Sequence, residues 1–167
     1  YVTALAIGNL NNDAYADLLV GTYGSGTDTS TRTVVTHYGS ADGGFEYQVQ
    51  YTSSLYPWRA ALIADLRHDG TNSIILLSAH SALVADRVPP TYQFNQVQVL
   101  SFGTVGDVPG ALALGDLDKD GWNDLTEVDY SGSLRVYRGQ DGGGFGDSLY
   151  TPYSVPLPLL GQVASSV

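Results

Sequence analysis

Asp116-Leu117-Asp118-Lys119-Asp120-Gly121-Trp122-Asn123-Asp124 sets carboxylates at positions 1, 3, 5 and 9 of a short loop, with a glycine at position 6 where the backbone must turn sharply. This spacing wraps oxygen around a hard cation. Calcium is the natural ion, since it takes about 6–8 oxygens at about 2.3–2.6 Å. The expected ligands are Asp116, Asp118, Asp120 and Asp124 together with the carbonyl of Trp122, and water completes the shell.

Glu127 falls at position 12, so the loop also satisfies the EF-hand pattern, which requires a helix on each side. The flanks argue otherwise. Ala111–Leu117 is a small-apolar run, and Thr126–Tyr137 contains a Ser-Gly turn and ends in alternating Leu134 and Val136. Both read as strands.

The loop recurs. Asn9-Leu10-Asn11-Asn12-Asp13-Ala14-Tyr15-Ala16-Asp17 keeps the spacing, with Asn9, Asn11, Asp13 and Asp17 at positions 1, 3, 5 and 9 and the carbonyl of Tyr15 at position 7. Asp65-Leu66-Arg67-His68-Asp69-Gly70-Thr71-Asn72-Ser73 keeps it in part: Asp65 and Asp69 form a degenerate site. The residues equivalent to Glu127 are Val20 and Leu76, which weighs further against an EF-hand. Each loop lies between two strands, and a third strand follows at Thr31–Tyr38, Ala82–Arg87 and Ser133–Tyr137. A fourth is expected at about Glu46–Thr52, Thr91–Phe102 and Asp147–Tyr153. The first and third copies also carry a glycine six residues before a phenylalanine, Gly39 to Phe45 and Gly139 to Phe145.

The unit is therefore a four-stranded antiparallel meander of about 50 residues, the size of a propeller blade. The acidic loop between the first two strands, with the G-x₅-F element, resembles the FG-GAP/VCBS repeat of integrin α-subunit propellers and many secreted proteins. The likeness covers nearly the whole chain; the second copy departs through Arg67, Ser73 and the missing G-x₅-F. The expected fold is all-β: three propeller-type blades over about 1–55, 56–107 and 108–154, with calcium-binding loops between first and second strands. Residues 155–167 read as the start of a further blade or a strand donated to a neighbour. Their phase supports this, because Pro158 is spaced like Pro57 and Pro109, and the next first strand would be Leu159–Ala164. Pro156 and Pro158 suit an extended linker, and Leu157, Leu159, Leu160 and Val163 call for burial.

Charge count ranks calcium affinity as loop three above loop one above loop two. In loop two the Arg67 guanidinium either replaces the ion by bridging Asp65 and Asp69 or lies exposed. Ala14 stands where the other loops have glycine, which predicts strain in loop one.

The chain has 167 residues, 20 glycines, 12 tyrosines, no cysteine and a net charge of −10. Cysteine chemistry is excluded, and nucleic acid is disfavoured as a partner by charge. Two bound calcium ions would bring the charge to −6, that is −10 + 4. No apolar run is long enough to insert in a membrane as a helix. Beginning at Tyr1 in a strand lead-in, the chain reads as a mature or trimmed product, and weak calcium modules of this type operate outside cells.

Enzymatic motifs are missing, and His37, His68 and His80 stand singly; a triad from His80, Asp86 and a serine has no supporting elbow motif. GGGF at Gly142–Phe145 lies between strands and does not read as a phosphate loop. Tyr56, Trp58, Tyr92, Trp122, Tyr130, Tyr150 and Tyr153 are candidates for partner contact or for packing between blades. The expectation is a secreted, non-catalytic, calcium-stabilised module for adhesion, recognition or assembly, with a protein or glycan partner. In proteins of the resembled family the calcium is structural and partners bind other loops. Two alternatives differ in class: the subunit of an extracellular fibre that self-assembles by edge-strand or C-terminal strand exchange, and a carbohydrate-binding lectin.

Overall fold

The computed structural model describes residues 1–25, 28–53, 57–88, 91, 93–102, 109–130 and 132–151. Among them there is no helix. Twelve strands run in chain order: β1 (Val2–Gly8), β2 (Asp17–Ser25), β3 (Asp28–Gly39), β4 (Phe45–Ser53), β5 (Ala60–Ala64), β6 (Ser73–Leu77), β7 (Ser81–Arg87), β8 (Phe94–Ser101), β9 (Pro109–Gly115), β10 (Asp124–Asp129), β11 (Leu134–Gly139) and β12 (Phe145–Thr151). They form three four-stranded antiparallel meanders, β1 to β4, β5 to β8 and β9 to β12, each strand paired to its neighbour in sequence. The fourth strands of the first and third sheets begin at the phenylalanine, earlier than expected, because Gly39 pairs with Phe45 and Gly139 with Phe145.

The sheets stack through two hydrophobic layers. Ala4, Leu19 and Val34 of the first sheet pack on Ala61, Ile74, Leu76 and Phe94 of the second. The other face of the second sheet, with Ile75, Leu77 and Val84, packs on Leu125, Tyr137 and Phe145 of the third. Each sheet thus has a leading face, turned toward the preceding sheet, and a trailing face, turned toward the next. The middle sheet is covered on both sides, which is why β6 reads Ser-Ile-Ile-Leu-Leu and is buried throughout.

The first strands of the first two sheets approach one another closely at the end of β1. A Cβ on Gly8 would stand 2.8 Å from Cγ2 of Ile63 in β5. Glu127, the position-12 residue of the discarded EF-hand reading, is fully buried in β10, where Oε2 accepts a hydrogen bond of 2.7 Å from Arg135 in the facing strand. The stretch from 152 to 167, including Pro156, Pro158 and the proposed strand Leu159–Ala164, lies outside the described residues.

Candidate metal centre

Each acidic loop is the hairpin connection between the first two strands of its sheet. All three share a left-handed residue at position 4, Asn12 (φ 64°), His68 (φ 56°) and Lys119 (φ 63°), and loops two and three repeat this at Gly70 (φ 83°) and Gly121 (φ 95°). Ala14 is not left-handed, so the strain expected of loop one is not present there. That loop takes a different hydrogen-bond pattern instead.

In loop three, Asp116 accepts the N–H groups of Asp120 (3.2 Å) and Gly121 (3.0 Å), and Asp120 accepts that of Trp122 (2.8 Å). These bonds curl the chain until carboxylate oxygens of Asp116, Asp118 and Asp120 lie within 4.8 Å of one another, on exposed side chains. Among the described residues no other group of three acidic or metal-ligating side chains meets in this way. An all-oxygen donor set of this charge fits a hard divalent cation. Arg138, on β11, reaches Asp118 Oδ2 at 3.0 Å and offsets one of the three charges.

Asp124, the fourth carboxylate, lies outside this group. It is buried, with Oδ2 accepting from Leu117 N and Oδ1 from Gly139 N, both at 2.9 Å. Asp17 does the same in loop one, accepting from Leu10 N at 2.5 Å and Gly39 N at 2.9 Å. Position 9 therefore clamps the loop to the end of the third strand. The glycine of G-x₅-F is the other half of that clamp: a Cβ on Gly39 or Gly139 would lie 2.4 Å from the carbonyl oxygen of Ala16 or Asn123. No bulkier residue could bring its N–H so near.

Loop two solves the same problem with other groups. Position 9 is Ser73, paired across the ladder with Asp86, and Ser73 Oγ donates to Asp86 Oδ1 at 2.6 Å. Arg67 Nη1 donates to Asp86 Oδ2 at 2.5 Å, and its Nε lies 3.5 Å from Asp69. Neither expectation for Arg67 holds: the guanidinium joins Asp86 and Asp69, leaving Asp65 to accept the N–H groups of Asp69 and Gly70. Burial opposes ionisation of Asp65, but these N–H groups outweigh it and hold its pKa below the ordinary carboxylate value. Asp86 is fully engaged here, so it does not orient His80. With two carboxylates, one bridged to arginine, loop two does not offer the donor set of loop three.

Loop one closes on its amides. Asn9 Nδ2 donates to the Asp13 carbonyl, Asn11 Nδ2 to Asp13 Oδ2 at 2.7 Å, and Asn9 Oδ1 accepts Asn12 N at 2.7 Å. Asp13 Oδ1 also accepts Tyr15 N at 2.7 Å.

The loops are tied to one another. His68 of loop two stacks on Trp122 of loop three, with ring centroids 4.7 Å apart and planes 19° from parallel. Asn72 donates to the carbonyl of Asn9 at 2.7 Å, and Arg87 to that of Asn11 at 3.1 Å. At the opposite strand ends, Trp58 is buried and lines a shallow depression with Pro57, Arg59 and the exposed Tyr130. The side chains of Tyr56, Tyr92, Tyr150 and Tyr153 lie outside the described residues. No family model matches this chain, and no curated protein gives a significant match.

Proposed function

We propose that the chain is a calcium-stabilised module of β-propeller type, secreted or displayed at a cell surface, that serves adhesion, recognition or assembly and performs no catalysis. The observation that carries the reading is the convergence of Asp116, Asp118 and Asp120. Two like charges about 4 Å apart repel by about 1 kcal/mol in bulk water and about 4 kcal/mol near a protein surface. A dication removes that repulsion and links the end of β9 to the start of β10. Asp116, Asp118, Asp120 and the Trp122 carbonyl would hold it; Arg138 supplies a weaker, single positive charge. The likeness to FG-GAP/VCBS repeats adds that such calcium is structural, leaving other loops for a protein or glycan partner. The net charge of −10 argues against nucleic acid.

Differential scanning calorimetry with calcium and with EDTA tests this reading. At about 100 times the dissociation constant, calcium should add about 2.7 kcal/mol to stability. Fluorescence gives a local readout, since Trp122 belongs to the loop and rests on His68. An unchanged melting temperature and a silent calcium titration would sink the proposal.

A further inference from the structure

The turn between the third and fourth strands has the same backbone bonds in the first and third sheets, with different side chains upon it. Ser40 N and Gln140 N donate to the carbonyls of Gly44 and Gly144 at 3.1 and 3.0 Å, and Gly43 N and Gly143 N donate to those of Ser40 and Gln140 at 3.0 and 3.1 Å. In the first sheet the turn closes on itself, because Asp42 Oδ1 accepts the Ser40 hydroxyl at 2.6 Å and the Gly44 N–H at 2.9 Å. The third sheet has Gly142 in place of Asp42 and Gln140 in place of Ser40. Gly142 is left-handed (φ 91°), as Asp42 is not, and the Gly144 N–H meets no acceptor among the described residues.

Gly144 lines a cleft of about 340 Å³ between the second and third sheets, together with Arg67, Val97, Gln98 and Gln140. Both walls belong to neighbouring sheets inside the stack. One is nearly bare backbone: a Cβ on Gly143 would collide with Cγ of Arg67, and one on Gly146 would stand 2.7 Å from Gln140 Nε2. The polar groups around it are only partly engaged. Arg67 commits Nη1 to Asp86 and Nε to Asp69, so Nη2 has no described partner, and the exposed Gln140 carboxamide has none either. Val97, 53% exposed, adds apolar surface. A second cavity of about 350 Å³ continues along β8 past Val99 and Ser101 and shares Gln98 and Phe145 with the first.

The chemistry of this cleft selects its ligand. Its one guanidinium is outnumbered by Asp69 and Asp86, and Asp141 stands in the same turn, so an anion is repelled. N–H donors exceed acceptors. That balance suits hydroxyl oxygens, each with two lone pairs, better than a peptide, which brings a donor for every carbonyl.

We infer that the cleft binds a neutral glycan, with one sugar hydroxyl accepting from Gly144 N in the place that the Asp42 carboxylate fills in the first sheet. Gln140 and Arg67 Nη2 would bond the neighbouring oxygens, and Val97 would meet the C–H face of the ring. This deepens the recognition part of the proposed function and rests on it for a glycan partner, but it does not require calcium.

Saturation-transfer NMR on the full 167-residue chain tests it, in calcium and in EDTA. The probes are glucose, galactose, mannose and their N-acetylated amino sugars, with glucuronate as the anion and N-acetyl-trialanine amide as the peptide. Transfer to at least one neutral sugar is expected, and none to glucuronate. Gly142→Asp supplies the first sheet's carboxylate and should abolish transfer. Gln140→Ala should weaken binding about tenfold, the worth of one or two hydrogen bonds. Circular dichroism checks each fold; Gln140 is exposed, so its variant decides the matter if Gly142→Asp does not fold. No transfer to any neutral sugar, transfer unchanged in the variants, or stronger transfer to the peptide or to glucuronate overturns the inference. Stabilisation by calcium without sugar transfer rejects this inference alone. Sugar transfer with a melting temperature indifferent to calcium rejects the metal reading alone.

Discussion

Loops two and three have the same backbone and are closed by different chemistry. Both place a left-handed residue at position 4 and a left-handed glycine at position 6, and both turn two N–H groups onto the carboxylate at position 1. Loop three then gathers two further carboxylates and keeps a buried Asp124 beneath them. Loop two puts a guanidinium at position 3, moves the buried carboxylate across the ladder to Asp86, and places Arg87 where the other sheets have the clamp glycine. The shape of the turn is thus set by local backbone bonds. The groups at positions 3 and 9 decide what holds it to the sheet.

Breaking the buried clamp should produce the largest effect. Asp124→Ala strips two backbone N–H groups of a charged acceptor and should cost about 3 kcal/mol in urea unfolding, against about 1 kcal/mol for Ser73→Ala, which removes one donor. Equal losses would mean that the two loops are not held differently. Gly139→Ala comes next, because the new Cβ must push the Asn123 carbonyl away; about 2 kcal/mol is expected, in the range of core overpacking. Gly43→Ala, with open space but positive φ, should cost only about 1 kcal/mol, mostly from backbone strain.

For the metal, calorimetric titration should find calcium affinity reduced at least about tenfold by Asp120→Ala, or about 1.4 kcal/mol. Asp69→Ala should leave it unchanged. Arg67→Met should cost about 1 to 2 kcal/mol, since the buried Asp86 retains Ser73 but loses the cation of the partly exposed Arg67. If calcium then binds loop two, the guanidinium was acting as the ion's substitute. The smallest effect belongs to Asp65. Its folded pKa lies below the unfolded one, so its contribution is complete above the unfolded value, about 4, and is lost as pH falls through the folded value. Asp65→Asn should therefore flatten a small part of the acid limb of the stability curve and leave neutral pH nearly unaffected.

The strand order and the placement of all three loops were legible in the sequence because the same loop recurs between alternating apolar runs. So was the gathering of Asp116, Asp118 and Asp120, which follows from alternate spacing. The role of Asp17 and Asp124 was not, because spacing says only that a carboxylate stands at position 9, not which N–H groups it meets from the third strand. A signal existed nonetheless. The second copy lacks both the position-9 aspartate and the G-x₅-F glycine, and these two departures are one change, since the missing groups would have bonded to each other. The pairing of Arg67 with Asp86 was hidden for a related reason: the partners are 19 residues apart in the chain and meet only through the β6–β7 register. Phe94 was overlooked because a longer turn separates it from β7, yet it fills the same place as Phe145.

Gln98 carries a last consequence. Its carboxamide in β8 donates to the carbonyl of Phe145 at 2.6 Å and accepts from the Phe145 amide at 2.9 Å, standing in for a peptide group of a neighbouring strand. One side chain of the middle sheet thereby fixes where β12 begins. A slip of β12 by a single residue would cost bonds in two sheets at once, so alignment is inherited from one module by the next as well as dictated within each.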